Sequence, residues 1–440
     1  MRRYLRIGAL VCALALLCAG CSLDVESFLH PPRVQGEQQA VQAALETYIR
    51  DTGGAAARYV LKYPVEGAHT AAFVLCDQHG FVTETERDAR IAVAFYALAS
   101  APDVVHVNLL RRETDEWVSV ADTVGAGVSI RQVAFSDLNG DGTAEIVTGW
   151  TAYSSQIHRL TIYSAAEGLR TLSDDRVYTA FFAGDITATG GDSLLLLHSA
   201  SQAVTATLHR MGEDGLELVD TAALDGGIQQ FGDMTLCRLA EGVHGLFVEG
   251  YKENGDAVTE LIYYDDTGLK TPFYDPITNT STDTTRSGRL SARDIDGDAM
   301  VEVPFSRLLP GHIANQTGGT ITEWRGWDYA TRTWSVRART LVNIEDGYVV
   351  TLQVDQIRRL DTTYDAATRT LDLWDTTTDQ IWLRLTVGDT EDRSEPEHMR
   401  SITVFTQDDR RPACTAWYDP QVLKAEKVRY MISRLNVEGG

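Results

Sequence analysis

Two stretches of the chain repeat one pattern of acids and glycines: Phe135-Ser-Asp137-Leu-Asn139-Gly-Asp141-Gly142-Thr143-Ala-Glu145-Ile-Val and Ala292-Arg-Asp294-Ile-Asp296-Gly-Asp298-Ala299-Met300-Val-Glu302-Val. Eroded copies stand at Phe182-Ala-Gly-Asp185-Ile-Thr187-Ala-Thr189-Gly190, at Phe231-Gly-Asp233-Met-Thr235 and at Ala72-Phe73-Val74-Leu75-Cys76-Asp77. The leading aspartates fall at 77, 137, 185, 233 and 294, so successive spacings are 60, 48, 48 and 61 residues. A period of this size marks one supersecondary unit that cannot bury its apolar surface alone and must stack on its neighbours.

Each copy except the last is followed by a second hairpin. Val104 to Leu110 pairs with Trp117 to Ala121, Ile157 to Tyr163 with Leu169 to Leu172, Val204 to Met211 with Leu216 to Val219, and Val258 to Tyr264 with Leu269 to Phe273. Gly168, Gly215 and Gly268 each precede a leucine at the turn, where glycine takes a positive φ at little cost. Short alternating strands at this period predict a mainly β fold, a β-propeller of about 5–7 blades, five of them readable over about 71–340. A short N-terminal helix precedes it: Val41, Ala44, Leu45, Tyr48 and Ile49 fall on one face of Glu37 to Asp51. After about residue 344 the repeat stops. Strands and a helix opened by Asp419-Pro420 predict a small C-terminal α+β domain, or the strands that close the propeller. The expected divisions are 1–20, a signal peptide; 21–58, tether and helix; 59–343, propeller; and 344–440, the C-terminal domain.

On these residues the chain resembles the FG-GAP or VCBS-type repeat, the blade unit of integrin α-subunit propellers and of many bacterial surface proteins. Pro31-Pro32, Gly36-Glu37-Gln38 and Leu61-Lys62-Tyr63-Pro64 also resemble the front end of bacterial lipoproteins that carry such repeats. The resemblance implies a propeller and no activity.

The acidic loops have the donor pattern of a hard cation. Oxygens at positions 1, 3, 5 and 9 and a carbonyl at 7 wrap Ca²⁺ at about 2.3–2.6 Å. The first loop offers Asp137, Asn139, Asp141, the Thr143 carbonyl and Glu145; the second offers Asp294, Asp296, Asp298, the Met300 carbonyl and Glu302. Ala299 stands where the first loop has Gly142, so the second is expected to bind more weakly. One or two structural Ca²⁺ ions are therefore expected. An EF-hand would need a bidentate Glu at loop position 12, where Thr148 and Phe305 stand.

The first twenty residues hold Arg2, Arg3 and Arg6, an apolar run from Ile7 to Leu17, and no acid. The run is shorter than the ~20 residues of a spanning helix and reads as a secretory signal. Ala19-Gly20-Cys21 resembles the bacterial lipobox, which implies lipidation of Cys21 and anchoring on the extracytoplasmic face of the cell membrane. Cys76, Cys237 and Cys414 then remain, an odd number without paired spacing, and read as buried free thiols.

The formal charge is −23, from 39 basic and 62 acidic residues. Such a chain repels phosphate backbones, so nucleic acid is not an expected partner. No G-x-S-x-G, H-E-x-x-H, P-loop or dinucleotide glycine pattern occurs. Trp324, Trp327 and Trp334 form a candidate ligand platform, with blade packing as the competing role. The sequence thus leads to a non-catalytic, lipid-anchored scaffold that binds an envelope protein or glycan. The alternative is a calcium-dependent polysaccharide hydrolase or lyase on the same fold.

Overall fold

The computed structural model describes residues 36–67, 71–77, 90–114, 116–152, 158–201, 203–213, 215–288, 290–309, 320–388, 398–406 and 412–435. The expected signal segment, Cys21 and the tether up to residue 35 lie outside them. Strand outweighs helix, 58% to 9%, which places the chain in the mainly β class. Two compact units divide it: Met1–Tyr63 with Ala71–Gly125, and Pro64–Thr70 with Ala126–Gly440.

In the first unit the helix Glu37–Gly53 buries Val41, Leu45 and Ile49, the stripe its fourfold spacing presents. They pack on Phe73, Leu75, Ala94, Tyr96, Leu110 and Trp117 of one antiparallel sheet. That sheet joins Tyr59–Leu61, Phe73–Cys76, Ile91–Leu98, Val105–Glu113 and Glu116–Val124. Glu37, in the first helical turn, accepts a hydrogen bond from Trp117 Nε1 at 2.5 Å and pairs with Arg112 at 3.1 Å, so the helix is fixed at its start as well as along its face.

The second unit contains, among its described residues, five antiparallel sheets that follow one another along the chain. The first joins Ser129–Ser136, Glu145–Thr151, His158–Ser164 and Arg170–Tyr178; the next joins Ala180–Gly184, Ser193–Ala200, Ala203–Gly212 and Gly215–Ala223. A third joins Ile228–Ala240, Val243–Lys252, Asp256–Asp265 and Gly268–Lys270, with Arg286–Ser287 beside Asp256–Asp265. All four expected second hairpins are present, with Arg112 opposite Trp117, Tyr163 opposite Thr171, Met211 opposite Leu216 and Tyr264 opposite Leu269.

Burial explains why these strands read as apolar runs. Glu145–Thr151 and the leucines of Ser193–Ala200 are second strands, buried on both faces, whereas the outer Arg170–Tyr178 is mostly exposed. Consecutive sheets share cores. Leu138, Val147, Leu160 and Phe181 meet Leu194 and Leu196; Leu195, Leu197 and Leu208 meet Leu246, Val248 and Val258.

The C-terminal part departs from the expected boundary at 344. Tyr348–Thr351 is the fourth strand of the sheet begun by Glu302–Leu308, Thr320–Asp328 and Thr333–Asn343, and Ile432–Arg434 pairs at its edge. The remaining sheet, Leu360–Asp365, Thr370–Asp375, Gln380–Val387, Cys414–Tyr418 and Arg400–Phe405, shares a core with it through Tyr348, Val350, Leu373, Leu385 and Val428. Residues 344–440 are therefore woven into the second unit by strand pairing, and a separate α+β domain is not formed. Asp233 also departs from expectation: it lies inside Ile228–Ala240 at a bulge, and the turn comes at Glu241-Gly242.

Cys76, Cys237 and Cys414 are buried free thiols. Burial pushes them up to about 12, 11 and 12 respectively, so they pack as small apolar groups. Among the described residues no helix is long and apolar enough to cross a membrane.

Candidate metal centre

Both acidic loops connect to a strand that begins with a buried glutamate, Glu145 in one and Glu302 in the other. In the first loop Asp137 Oδ1 accepts the backbone N–H of Gly140 at 2.8 Å and of Asp141 at 3.0 Å, and Oδ2 accepts that of Gly142 at 2.9 Å. Asp294 does the same work in the second, taking Gly297 N–H at 2.7 Å and Ala299 N–H at 2.9 Å. The eroded copy keeps this feature, since Asp185 accepts from Thr189 at 3.1 Å and Gly190 at 3.0 Å. The leading aspartate thus closes the turn whether or not the other ligands survive. Thr143 and Met300 each donate a backbone N–H at 2.8 Å, to Asp141 Oδ1 and Asp298 Oδ1.

The loops differ at the third position. Asn139 Nδ2 donates to Asp141 Oδ2 at 3.1 Å and to Glu145 Oε1 at 3.0 Å, while Glu145 Oε2 accepts from Leu138 and Asn139 N–H at 2.9 and 3.3 Å. The first loop therefore satisfies its own buried carboxylate. In the second loop Asp296 replaces that amide, and no donor takes its place. Glu302 is fully buried, its Oε2 accepts Ile295 N–H at 3.1 Å, and its Oε1 has no hydrogen-bond partner among the described residues.

Carboxylate oxygens of Asp294, Asp296 and Glu302 all lie within 4.8 Å of one another, a grouping that could hold a metal ion. Burial, and then the charges of Asp296, Asp298 and Asp294, push Glu302 up to about 7. Glu145 is likewise pushed up to about 7, chiefly by burial. A buried carboxylate grouped with two others is the environment a dication relieves. The donors are hard oxygens, which suits Ca²⁺. Charge count also ranks the loops, with four carboxylates in the second against three in the first. The grouping thus falls in the loop expected to bind more weakly, where Ala299 carries a positive φ of 65°.

The tryptophan platform is not assembled. Trp324 is fully buried and donates from Nε1 to Thr340 at 2.9 Å, so it presents no face to a ligand. Trp327 and Trp334 pack on each other at 5.1 Å and on Phe273 at 5.2 and 4.8 Å, filling the core between two sheets.

One buried polar network escaped the sequence reading. Asp225 Oδ2 accepts Lys252 Nζ at 2.7 Å and Ser281 N–H at 2.8 Å, and Glu260 Oε1 accepts Asp225 N–H at 2.8 Å and Ser281 Oγ–H at 2.6 Å. Burial pushes Glu260 up to about 7. This network pins the connection 271–285 to the sheet. Its hydrogen-bonded pairs lie 21 or more residues apart in sequence and share no motif, so nothing local announces them.

No family model and no curated protein matches the chain. Among solved structures, it resembles the rhamnogalacturonan lyase YesW at 13% identity and TM-score 0.34, over 81% of this chain and 74% of that one. The exotype rhamnogalacturonan lyase YesX matches at 12% and 0.29, over 81% and 74%. The polysaccharide lyase Uly1 matches at 8% and 0.36, over 81% and 92%. These are enzymes, and the expectation that the chain is non-catalytic is withdrawn against them. At such overlap they transfer no residue role and no substrate.

Proposed function

We propose that the chain is an exported, lipid-anchored protein of the cell surface that is stiffened by a divalent cation, Ca²⁺, and acts on polysaccharide as a hydrolase or lyase. The stacked sheets of the second unit are read as successive propeller blades. The observation that carries the cation dependence is the fully buried Glu302, grouped with Asp294 and Asp296 so that one carboxylate oxygen of each lies within 4.8 Å of the others. When bound, the ion supplies positive charge that offsets the mutual repulsion of these carboxylates and ties the loop to the strand Glu302–Leu308.

The chain's own residues prepare the site. Asp294 closes the turn on Gly297 and Ala299, Asp298 orients Met300 N–H, and the paired backbone bonds of Arg293 and Glu302 at 3.0 and 2.9 Å hold the two loop ends together. Polysaccharide is the substrate class to test first because it is the class that the names of the compared structures have in common. The test is turnover of a glycan panel by the chain from residue 22 onward, in calcium and in chelator. Product release that needs calcium supports the reading; absence of turnover on every glycan overturns its enzymatic half.

A further inference from the structure

Within a chain of net charge −23, the segment 303–343 holds five arginines and only two acids. Three of the arginines converge on one carboxylate. Glu323 lies opposite Phe305 on one neighbouring strand and opposite Arg339 on the other, so Arg307, Arg325 and Arg339 share its face of the sheet. Arg325 Nη2 reaches Glu323 Oε2 at 2.7 Å, Arg339 Nε reaches Oε1 at 3.1 Å, and Arg307 Nη1 stands 3.6 Å from Oε1. Glu323 is 7% exposed, whereas the side chain of Arg307 is 63% exposed.

One guanidinium would neutralise Glu323; three leave a local excess of two positive charges. Each guanidinium carries five N–H donors in a planar fork, and Glu323 has only two oxygens. Arg325 lies over the Phe305 ring, 4.3 Å from its centroid, and its Nε is buried without a hydrogen-bond partner among the described residues. That stacking holds the fork in place before any ligand arrives, which lowers the ordering cost of binding. Burial works to raise the Glu323 carboxyl, and the hydrogen bonds from Arg325 and Arg339 outweigh it, so the group is held below its ordinary range. At physiological salt charges more than about 8 Å away are largely screened, so the local excess governs what docks here despite the acidic whole.

We propose that Arg307, Arg325 and Arg339 form a subsite for the carboxylate of an acidic polysaccharide. The planar fork matches a carboxylate bidentately, and Glu323 already shows how such a group is gripped. Arg307 supplies the exposed donors, and Arg325 and Arg339 set the field behind it. The inference rests on polysaccharide being the ligand class.

Calorimetric titration of the chain from residue 22 onward, with a short oligogalacturonate and with its methyl ester, tests it. Wild type is expected to bind the acid form and not the ester. Arg307→Ala should weaken binding by about tenfold, the loss of one charge-assisted hydrogen bond, with an unchanged melting temperature because the side chain is exposed. Glu323→Gln, which raises the local charge, should tighten binding. Equal affinity of wild type and Arg307→Ala for the acid form overturns the subsite and leaves the polysaccharide reading standing. So does binding of the ester as well as the acid. Binding of no glycan at all, acidic or neutral, overturns both.

Discussion

At the scale of single residues, position 299 and position 302 make opposite demands on the same loop. Ala299 sits at φ 65°, a conformation that costs an L-residue roughly 1 kcal/mol. Ala299→Gly is therefore expected to raise unfolding stability by up to ~1 kcal/mol, read by urea denaturation, because glycine takes a positive φ without the Cβ penalty, as Gly142 does at φ 82° in the first loop. Glu302 carries the larger consequence. Glu302→Gln removes the charge that burial opposes, so the variant should be at least as stable as wild type in chelator. It should also lose the response to calcium, as thermal scans with and without the ion would show. The proposed cation dependence is argued from Asp296 standing where the first loop has Asn139, one side-chain atom that changes a donor into an acceptor. The sequence displays that difference openly. What it hides is the orphaned Oε1 of Glu302, because whether a carboxylate oxygen finds a donor depends on three-dimensional placement.

Among the elements, the connection 271–285 is held by a carboxyl that binds its proton more tightly in the folded chain than in the unfolded one. Glu260 rises from 4.5 to about 7, mainly through burial. Its contribution to stability is complete below pH 4.5, falls as pH climbs from 4.5 to about 7, and is level above that. The loss is on the order of 1–3 kcal/mol. Glu260→Gln mimics the protonated form, so its urea midpoint should decline less than that of wild type across this window, and a parallel decline would refute the assignment. A second element-level expectation concerns the C-terminus. The helix Ala425–Met431 buries Val428 and Met431, and Ile432 pairs with Val350 at the sheet edge. Removing residues from 425 onward should lower the melting temperature by many degrees, since two buried side chains at ~2–5 kcal/mol each are lost.

The hairpins of the repeat were legible because turn glycines and alternating apolar residues are local signals. The C-terminal segment was not: Tyr348–Thr351 and Ile432–Arg434 are more than 80 residues apart, and no short-range pattern shows that they pair. The tryptophans left two roles open for a related reason, since an aromatic on a strand reads the same whether it faces solvent or, like Trp324, is buried. The three arginines around Glu323 were visible as an excess of positive charge, but their convergence requires the register of three strands.

At the largest scale, within the second unit, consecutive sheets share cores and two of their loops also bond to the sheet that follows. Asp192 of one loop accepts from Ser136 Oγ at 2.7 Å and Asp137 N–H at 3.1 Å in the loop before it. His244 Nδ1 in turn lies 2.6 Å from the carbonyl of Asp185. A cation that orders the loop 294–302 therefore stiffens one member of a packed series, and its effect should be read in global unfolding. The direct measurement is calorimetric melting of the chain from residue 22 onward in chelator and in ~1 mM Ca²⁺, the range in which extracellular sites of this kind bind. The account predicts a melting temperature several degrees higher in calcium for wild type and no shift for Glu302→Gln. Identical wild-type curves in the two conditions would contradict it.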